Sequence, residues 1–483
     1  MQKDNYIFLG SHTKFLTHTR YLFTLRSATR PSDYHTLLLF RLARLAGKEE
    51  DNNENSETGD HQFYVMESTC PHLGAPLSHA EIEECGMDVV AVCPWHRYDF
   101  DLRTGKSETG LNACTYSVDV RSADENGSTE RTIWVQPPGE GPWEVVEVRP
   151  VSEEFADPPP EPVSSSADGA PIEIPSSLTE PVIPDPPPRT LLDWAVLILN
   201  TPNPELKVQR TRQAVSAFRT GKLKSIRSAL AAPPDIPPRE DLNIVQPGKV
   251  KKRGKAGSLK SQIAILHALA NIEQWAIDLA WDMIARFGNS TVDGKPLPHQ
   301  FFSDWTKVAE DEAKHFSLLR RRLQELGSFY GAHSVHAGLW ESAQQTAHSL
   351  SSRLCIIHLV HEARGLDVNP TTIARFRTAG DTESVKVLEV IHHDEITHVT
   401  AGHRWFTWLC GITSRDPVQA FRQEVKDHFS GALKGPFNEE DRRKAGMTPD
   451  FYEDLRGEIE HGEVGREGNL EIGYEKEKPK AVS

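Results

Sequence analysis

The sequence has few cysteines and no long apolar run. Six cysteines in 483 residues are too sparse for a disulfide scaffold. No stretch reaches about 18 uninterrupted apolar residues, so no membrane span is expected. The first segment, MQKDNYIFLGSHTKF, lacks the apolar run and cleavage site of a secretory signal. These absences favour a reducing, cytoplasmic location.

An excess of positive charge is also missing. Lys and Arg number 54 against 69 Asp and Glu, a net charge of −15. This balance argues against a general binder of nucleic acids or anionic membranes. A Gly-rich dinucleotide fingerprint after a strand is absent as well, so NAD(P)H chemistry would require a separate reductase.

The first part of the chain, residues 1–150, predicts an all-β domain. Short β-branched and aromatic runs recur there between turn-rich stretches, at Thr36–Arg41, Gln62–Glu67, Asp88–Val92, Tyr116–Val120 and Thr132–Gln136. Residues 151–188 are rich in Pro, Ser and acidic residues, which is typical of an extended, solvated linker.

From Leu191 onward the apolar period becomes helical. We expect two leading helices and a connector (189–257), a four-helix bundle (258–410), a C-terminal helical extension (411–460) and a disordered tail (461–483). The four long helices are predicted at Ser258–Phe287, Phe301–Leu326, Leu339–Gly365 and Thr382–Cys410. The predicted fold class is therefore multidomain, with an all-β domain followed by an all-α bundle.

Two short motifs in the β domain carry metal-binding residues, Cys70-Pro-His72 and Cys93-Pro-Trp-His96. Two thiolates and two imidazoles from two loops form the ligand set of a Rieske [2Fe–2S] cluster. A zinc site is the alternative with the same donors. The loops CPHLGAPLSH and CPWHRYDFDLRTG resemble the Rieske ferredoxin family, and the resemblance extends over about residues 1–145. It implies that the cysteines hold the inner iron and the histidines the outer iron.

Three positions depart from the high-potential members of that family. Ala75, Trp95 and Tyr98 stand where those members have two extra cysteines and a serine. Fewer hydrogen bonds to sulfur stabilise the reduced cluster less, so we expect a potential near about −150 mV, the low end of the Rieske range. Such a potential suits a donor to an oxygen-activating site.

The bundle carries two copies of one motif. Glu312 and His315, and again Glu395 and His398, are spaced i, i+3 on predicted helices, so each pair lies on one helix face. Glu273 and Glu362 each interrupt an apolar stripe on one of the other two helices. Di-iron and di-manganese bundle proteins use two Glu-x-x-His helices plus one Glu from each remaining helix.

Further residues near these motifs extend the predicted site. Asp311 and Asp394 precede the two motif glutamates, and we expect each to accept the free N–H of the His on the other motif helix. His358 lies four residues before Glu362 on the same face, so a contact with Glu362 is the alternative to a packing role.

Four segments of the helical part resemble a ferritin-like family related to tRNA-hydroxylating di-iron monooxygenases. They are HALANIEQWAIDLAWDMIARF, WTKVAEDEAKHFSLL, HEARGLDVNP and DEITHVTAGHRWFTWLC. The resemblance covers about residues 189–455 and supports the four-helix fold and the six ligands Glu273, Glu312, His315, Glu362, Glu395 and His398. Iron is favoured over manganese because the neighbouring domain is an iron–sulfur donor.

These two sites together predict an oxidoreductase in which a Rieske cluster delivers electrons to a non-haem di-iron centre. O2 and an external NAD(P)H-dependent reductase are the expected partners, and the substrate is a small molecule or a tRNA base. A ferritin- or rubrerythrin-like ferroxidase or peroxide reductase is one alternative. A metal-stabilised module that binds RNA or another partner is the other.

Overall fold

The computed structural model describes residues 5–43, 61–85, 88–122, 131–151, 180–229, 232–240, 242–246 and 257–458. Most of the predicted linker (152–179) and the predicted tail (461–483) lie outside the described residues. Among the described helices, none is both long enough and apolar enough to cross a membrane.

The first half of the chain is built from antiparallel strands, as predicted. The strands are β1 (Ile7–Ser11), β2 (Arg20–Ser27), β3 (Tyr34–Ala43), β4 (His61–Glu67), β5 (Glu81–Cys85), β6 (Asp88–Val92), β7 (Asp99–Asp101), β8 (Thr115–Tyr116), β9 (Val118–Ser122), β10 (Arg131–Val135) and β11 (Trp143–Pro150). They form a five-stranded sheet in the order β11-β2-β3-β4-β8 and two three-stranded sheets, β1-β10-β9 and β5-β6-β7.

Strand β3 is buried on both faces because it separates two apolar cores. Leu37 and Leu39 face the core between the five-stranded sheet and the β1-β10-β9 sheet. Leu38 and Phe40 face the opposite way, into a core that continues through the helices. This arrangement explains why the strand reads as a continuous apolar run rather than an alternating one.

The second half is helical, as predicted. The helices are α1 (Leu191–Leu199), α2 (Pro204–Arg219), α3 (Leu259–Phe287), α4 (His299–Glu325), α5 (Gly338–Gln345), α6 (Leu350–Arg353), a π-helix (Leu354–His361), α7 (Glu362–Thr378), α8 (Thr382–Ile412), α9 (Pro417–His428), α10 (Glu439–Lys444) and α11 (Pro449–Tyr452). Two small two-stranded antiparallel sheets accompany the helices. One pairs β12 (Thr291–Val292) with β13 (Lys295–Pro296), and the other pairs β14 (Ser430–Ala432) with β15 (Arg456–Glu458).

Local capping explains where the longest helices begin. Ser258 caps α3 by accepting a hydrogen bond from the Ser261 backbone N–H, and Asp381 caps α8 by accepting one from Ser384. A short polar side chain before an apolar run satisfies an otherwise unpaired N–H at a helix start. The predicted bounds of these two helices are accordingly close to the observed ones.

The predicted helix Leu339–Gly365 was wrong in its bounds. The chain leaves the helix after α5, and Ser349, in an extended conformation, starts α6 by accepting a hydrogen bond from the Ser352 N–H. The helix then continues past Gly365 and through Pro370 as α7. Pro370 has no backbone N–H to donate to the Leu366 carbonyl. This carbonyl instead accepts a hydrogen bond from Asn438 Nδ2 at 3.2 Å.

The two halves pack against each other along the five-stranded sheet. Tyr34 Oη lies 2.7 Å from His403 Nδ1 on α8, and an Arg26 guanidinium donates to the Arg443 carbonyl at 2.8 Å. Lys307 on α4 and Glu147 on β11 form an ion pair at 2.6 Å. Because one apolar core also runs through both halves, the β domain has a defined position on the helices.

Candidate metal centres

The two Cys–His loops of the β domain have the same backbone geometry. The N–H of Gly74 donates to the Cys70 carbonyl at 2.8 Å, and the N–H of Arg97 donates to the Cys93 carbonyl at 2.9 Å. The fourth residue after each cysteine has a left-handed backbone, with φ of 74° at Gly74 and 58° at Arg97. Arg97 is a non-glycine residue in this region, and its guanidinium is paired with Glu81 and Glu83, each at 2.6 Å.

The loops bring the four predicted ligands together. Cys70 and Cys93 are buried and their thiols hydrogen-bond to each other, which lowers the pKa of Cys93 to about 6. Backbone N–H groups two and three residues after each cysteine point at its sulfur. The rings of His72 and His96 lie 4.9 Å apart between centroids. Thiolates stabilised by backbone donors beside two imidazoles fit a [2Fe–2S] cluster.

One unpaired atom in this site also fits a metal. Nδ1 of His72 is buried and makes no hydrogen bond with any other described residue. A buried ring nitrogen without a partner is costly, and an iron bound to it removes that cost. The Tyr98 ring packs edge-on against His72 with centroids 4.7 Å apart, so the imidazole orientation is fixed by packing.

A second group of ligands lies inside the helical half. Ligand atoms of Glu273 on α3, Glu312 and His315 on α4, and Glu395 on α8 all lie within 4.8 Å of one another. His398 joins this group, because its Nδ1 is 3.0 Å from Glu312 Oε1 and 3.8 Å from Glu395 Oε2. The structure thus brings together five of the six predicted bundle ligands.

Glu362, the sixth predicted ligand, stands at the edge of this group. Its Oε1 lies 2.7 Å from Nδ1 of His358, one helical turn earlier. Its Oε2 is buried and forms no hydrogen bond with another described residue. One oxygen of Glu362 is therefore held by a neighbouring imidazole and the other is open to a metal.

The predicted crossing of the two aspartates is present. Asp394 Oδ2 lies 3.1 Å from Nε2 of His315, and Asp311 Oδ2 lies 3.4 Å from Nε2 of His398. Each imidazole therefore turns Nε2 to an aspartate of the opposite helix and Nδ1 to the centre. A carboxylate on the far nitrogen orients a metal-binding histidine and raises its basicity.

The electrostatics of this centre favour a bound cation. Burial and the adjacent Glu312 raise the pKa of Glu273 well above its usual value, and the same two causes raise the pKa of Glu395 to about 8. Four atoms that face the middle of the ligand group are buried and form no hydrogen bonds within the described residues. They are Glu273 Oε2, Glu312 Oε2, His315 Nδ1 and His398 Nδ1. Crowded carboxylates beside unpaired imidazole nitrogens fit a pair of divalent metal ions.

Buried ion pairs hold the helix that carries Glu273. Asp278 on α3 pairs with Lys207 of α2 at 2.5 Å and with Arg239. One turn later, Asp282 pairs with Arg286 at 2.9 Å and with Arg353 of α6. Removing one partner would leave an uncompensated buried charge, so these pairs fix the position of α3 next to its neighbours.

Sequence reasoning missed two features near Glu362: the π-helix before it and the close approach of α8 to that π-helix. The π-helix occupies the eight residues that lead into Glu362. Such π segments are frequent at functional sites. Gly402 on α8 faces it, and a Cβ there would lie 2.8 Å from the Cβ of His358. A lone glycine in the apolar part of a predicted helix was the available signal for this close approach.

Family comparisons agree with a Rieske-type ferredoxin domain followed by a helical domain. Residues 56–120 match the family described as "Soluble Rieske-type ferredoxin". Residues 200–453, more than half of the chain, match the family described as "Protein of unknown function (DUF455)". The chain belongs to this second family, and it carries a Rieske-type domain whose cluster chemistry is redox.

The chain is also similar in sequence to two individual proteins. The chain is 36% identical over 222 residues to an "Uncharacterized protein" of Haemophilus influenzae, a match that covers 44% of this chain and 77% of that protein. It is 38% identical over 45 residues to a human "Rieske domain-containing protein", covering 9% of this chain and 29% of that protein.

Proposed function

We propose that the protein is an O2-dependent oxidoreductase in which the Rieske-type domain supplies electrons to a non-haem di-iron centre in a ferritin-like helical domain. Cys70, His72, Cys93 and His96 hold the cluster. The iron pair is held by Glu273, Glu312, His315, Glu362, Glu395 and His398. When bound, such an iron pair binds O2 and reduces it during the oxidation of an organic substrate.

One observation carries the proposal: a cluster loop is packed directly on the helical domain. Trp95 lies between the ligands Cys93 and His96 and is 6% exposed. Its Nε1 donates to the Phe218 carbonyl at 3.3 Å, and Lys224 Nζ donates to the Trp95 carbonyl at 2.7 Å. The other cluster loop also meets the helices, because a Cβ on Gly74 would lie 3.3 Å from the Cβ of His299.

Helix α4 joins this interface to the second centre. His299, at its first position, packs against Trp95 with ring centroids 4.8 Å apart. Glu312 lies thirteen residues later on the same helix, which corresponds to about 20 Å at 1.5 Å per residue. A rigid helix of this length keeps donor and acceptor at a constant separation, so no diffusion of a separate ferredoxin is needed.

The protein also shields the second centre from water. Glu312, His315 and His398 are at most 1% exposed, while Glu362 and Glu395 have side chains 14% and 13% exposed. The accessible side of the centre therefore faces Glu362 and Glu395, which is where an organic substrate would approach.

An outside reductase fits the exposed side of the cluster. His96 is exposed, and Leu73, next to the ligand His72, is 56% exposed. This side remains free of the contacts that Trp95 and Gly74 make with the helices. We therefore assign cluster reduction to a separate NAD(P)H-dependent reductase.

The test is a single-turnover experiment on the full-length protein. The protein is reduced anaerobically, freed of reductant and mixed with O2 while cluster absorbance and dissolved O2 are followed. We expect rapid cluster re-oxidation coupled to O2 consumption, and we expect Glu362→Ala to suppress both while the melting temperature persists. Rapid consumption of H2O2 in place of O2 would favour the peroxide reductase. Unchanged O2 uptake in Glu362→Ala would contradict the proposal.

A further inference from the structure

The β domain contributes a cation to the interior of the helical domain. Arg149, near the end of β11, donates to Asp311 on α4 with both terminal guanidinium nitrogens, Nη1 and Nη2, at 2.6 and 2.5 Å from the two carboxylate oxygens. Asp311 is fully buried, whereas the Arg149 side chain is 23% exposed. The paired, two-point geometry is the strongest form of an arginine–carboxylate interaction and fixes the plane of the carboxylate.

Asp311 passes this constraint to a proposed metal ligand. Its Oδ2, which Arg149 binds, also lies 3.4 Å from Nε2 of His398. Lys314 is the other described cation that hydrogen-bonds to Asp311, at 3.2 Å, but it lies closer to Asp394, at 2.6 Å. Lys314 is thus shared between the buried carboxylates of Asp311 and Asp394, whereas Arg149 hydrogen-bonds to Asp311 and not to Asp394.

Two buried aspartates with one shared lysine would be short of positive charge. A buried carboxylate without a full counter-charge is costly, so its side chain turns toward water or toward another cation. Such a movement lengthens or breaks the contact between Asp311 and the His398 imidazole. Among the described residues, the helical domain therefore offers Asp311 one hydrogen-bonding cation, Lys314, which it shares with Asp394.

We infer that Arg149 of the ferredoxin domain is a positioning residue of the metal centre in the helical domain, acting through Asp311 on His398. The inference rests on the metal-binding part of the proposed function and not on the reaction with O2. Beyond electron supply, the ferredoxin domain then completes the architecture of its partner's metal site. Docking of the two halves and metal retention are coupled through this one residue.

The same strand offers a matched control for simple interdomain adhesion. Glu147, two residues before Arg149, pairs with Lys307 of α4 at 2.6 Å. Lys307 hydrogen-bonds to Glu147 and to Thr397 Oγ1, at 3.3 Å, rather than to Asp311. Glu147→Gln therefore removes an ion pair between the same two elements and leaves the Arg149–Asp311–His398 contacts intact.

The experiment measures metal in addition to the cluster. A [2Fe–2S] cluster contains equal numbers of iron and sulfide, so iron minus acid-labile sulfide counts the extra iron per chain. The intact protein, Arg149→Met, Arg149→Lys and Glu147→Gln are loaded anaerobically with Fe(II). The loss of extra iron to a chelator is then timed, and visible circular dichroism monitors the cluster.

We expect Arg149→Met to lose its extra iron on the order of tenfold faster or more, as is typical when the partner of a metal-binding histidine is disturbed. Arg149→Lys should recover part of the retention, Glu147→Gln should behave as the parent, and the cluster spectrum should be unchanged throughout. If Arg149→Met does not fold, Asp311→Asn carries the same expectation. Combining Arg149→Lys with Asp311→Asn should add nothing to Asp311→Asn alone, because both act through one contact.

Three results would overturn the inference. They are parent-like retention in Arg149→Met, equal loss in Glu147→Gln, and fully additive effects of the Arg149 and Asp311 substitutions. Absence of extra iron in the intact protein is a different result. It would remove the di-iron part of the proposed function, and the inference with it.

Discussion

The indole nitrogen of Trp95 donates a hydrogen bond to the backbone carbonyl of Phe218, at 3.3 Å. Trp95 belongs to a cluster loop of the ferredoxin domain, whereas Phe218 lies on α2 of the helical domain. In the sequence, Trp95 was noted only as a departure from high-potential Rieske proteins. Its position shows a second role, because the residue is a principal contact between the cluster loop and the helices.

The substitution Gly221→Ala tests the contact between Trp95 and the helices. A Cβ at Gly221 would lie 2.2 Å from Cδ1 of Trp95, so Gly221→Ala must displace the indole. We expect cluster re-oxidation by O2 to slow by on the order of tenfold or more, because a displacement of about 1 Å is enough for losses of that size in positioned reactions. Stopped-flow absorbance measures the rate.

Gly327→Ala is the control for backbone strain. Gly221 and Gly327 have nearly equal φ, 71° and 74°, but a Cβ on Gly327 meets no atom within 4 Å. Both variants lose about 1 kcal/mol from the left-handed backbone. Equal re-oxidation rates in the two variants would show that the Trp95 contact does not set the rate.

Glu312→Gln tests the metal centre itself. Glu312 lies beside both imidazoles, with Oε2 3.3 Å from His315 Nδ1 and Oε1 3.0 Å from His398 Nδ1. An amide cannot supply the charge of a carboxylate ligand, so we expect the extra iron to fall from about two per chain to nearly zero. Iron and sulfide assays measure the change, and the EPR signal of the reduced cluster should persist.

Glu310→Gln is the matched control on the same helix. Glu310 pairs with Arg219 of α2 at 2.5 Å and lies outside the ligand group. This variant should lose stability without losing the extra iron. Full iron content in Glu312→Gln would contradict the assignment of Glu312 as a ligand.

His299 contributes to the pH dependence of stability, as one of several described histidines whose pKa is lowered by burial. Burial lowers the pKa of His299 from 6.5 to about 4. Between these values the unfolded chain binds a proton that the folded protein does not, so the free energy of unfolding falls as pH is lowered through this window. The contribution of His299 at pH 5.5 is a loss on the order of 1 kcal/mol relative to pH 7.5.

His299→Phe should reduce this loss. Phenylalanine keeps the stacking on Phe218, whose ring lies 5.1 Å from that of His299, and it cannot take up a proton. Denaturant unfolding at pH 5.5 and 7.5 measures the difference, and His393→Gln, at an exposed position, is the control. The same pH dependence in His299→Phe and the parent would exclude His299 as its source.

Sequence reasoning worked where the signal is local or periodic. The i, i+3 spacing of Glu312 with His315 and of Glu395 with His398 places each pair on one helix face in any α-helix. The crossing of Asp311 and Asp394 was predicted because each aspartate stands beside a motif glutamate and a metal-binding histidine needs a carboxylate partner. The Cys–His loops carry their turn-forming residues within a few positions of the ligands, so they too could be read directly.

The contacts between the two halves left no such signal. Arg149 and Asp311 are 162 residues apart, and Arg149 stands in a strand that was not identified, because β11 mixes valines with charged residues that pair across the interface. The π-helix was hidden for a different reason. Its residues, Leu354–His361, are nearly all apolar and buried, so their pattern does not distinguish a π-helix from an α-helix.

The close approach of α8 to the π-helix gives the last prediction. Gly402→Ala adds a Cβ that would lie 2.8 Å from the Cβ of His358 and 3.3 Å from its carbonyl oxygen. An alanine in a helix interior normally stabilises by about 0.5–1 kcal/mol relative to glycine. Here the overpacking outweighs it, at a typical cost of about 1–3 kcal/mol.

His358, the residue that this Cβ would displace, contacts the proposed iron ligand Glu362. Gly402→Ala should therefore affect iron binding as well as stability. His358 Nδ1 lies 2.7 Å from Glu362 Oε1, and its ring lies 4.2 Å from that of Trp305. We expect Gly402→Ala to lower the melting temperature and to release the extra iron faster. Gly411→Ala on the same helix α8, where a Cβ meets no atom within 4 Å, should raise stability slightly and retain iron. A stabilised, iron-retaining Gly402→Ala would show that the spacing between α8 and the π-helix does not control Glu362.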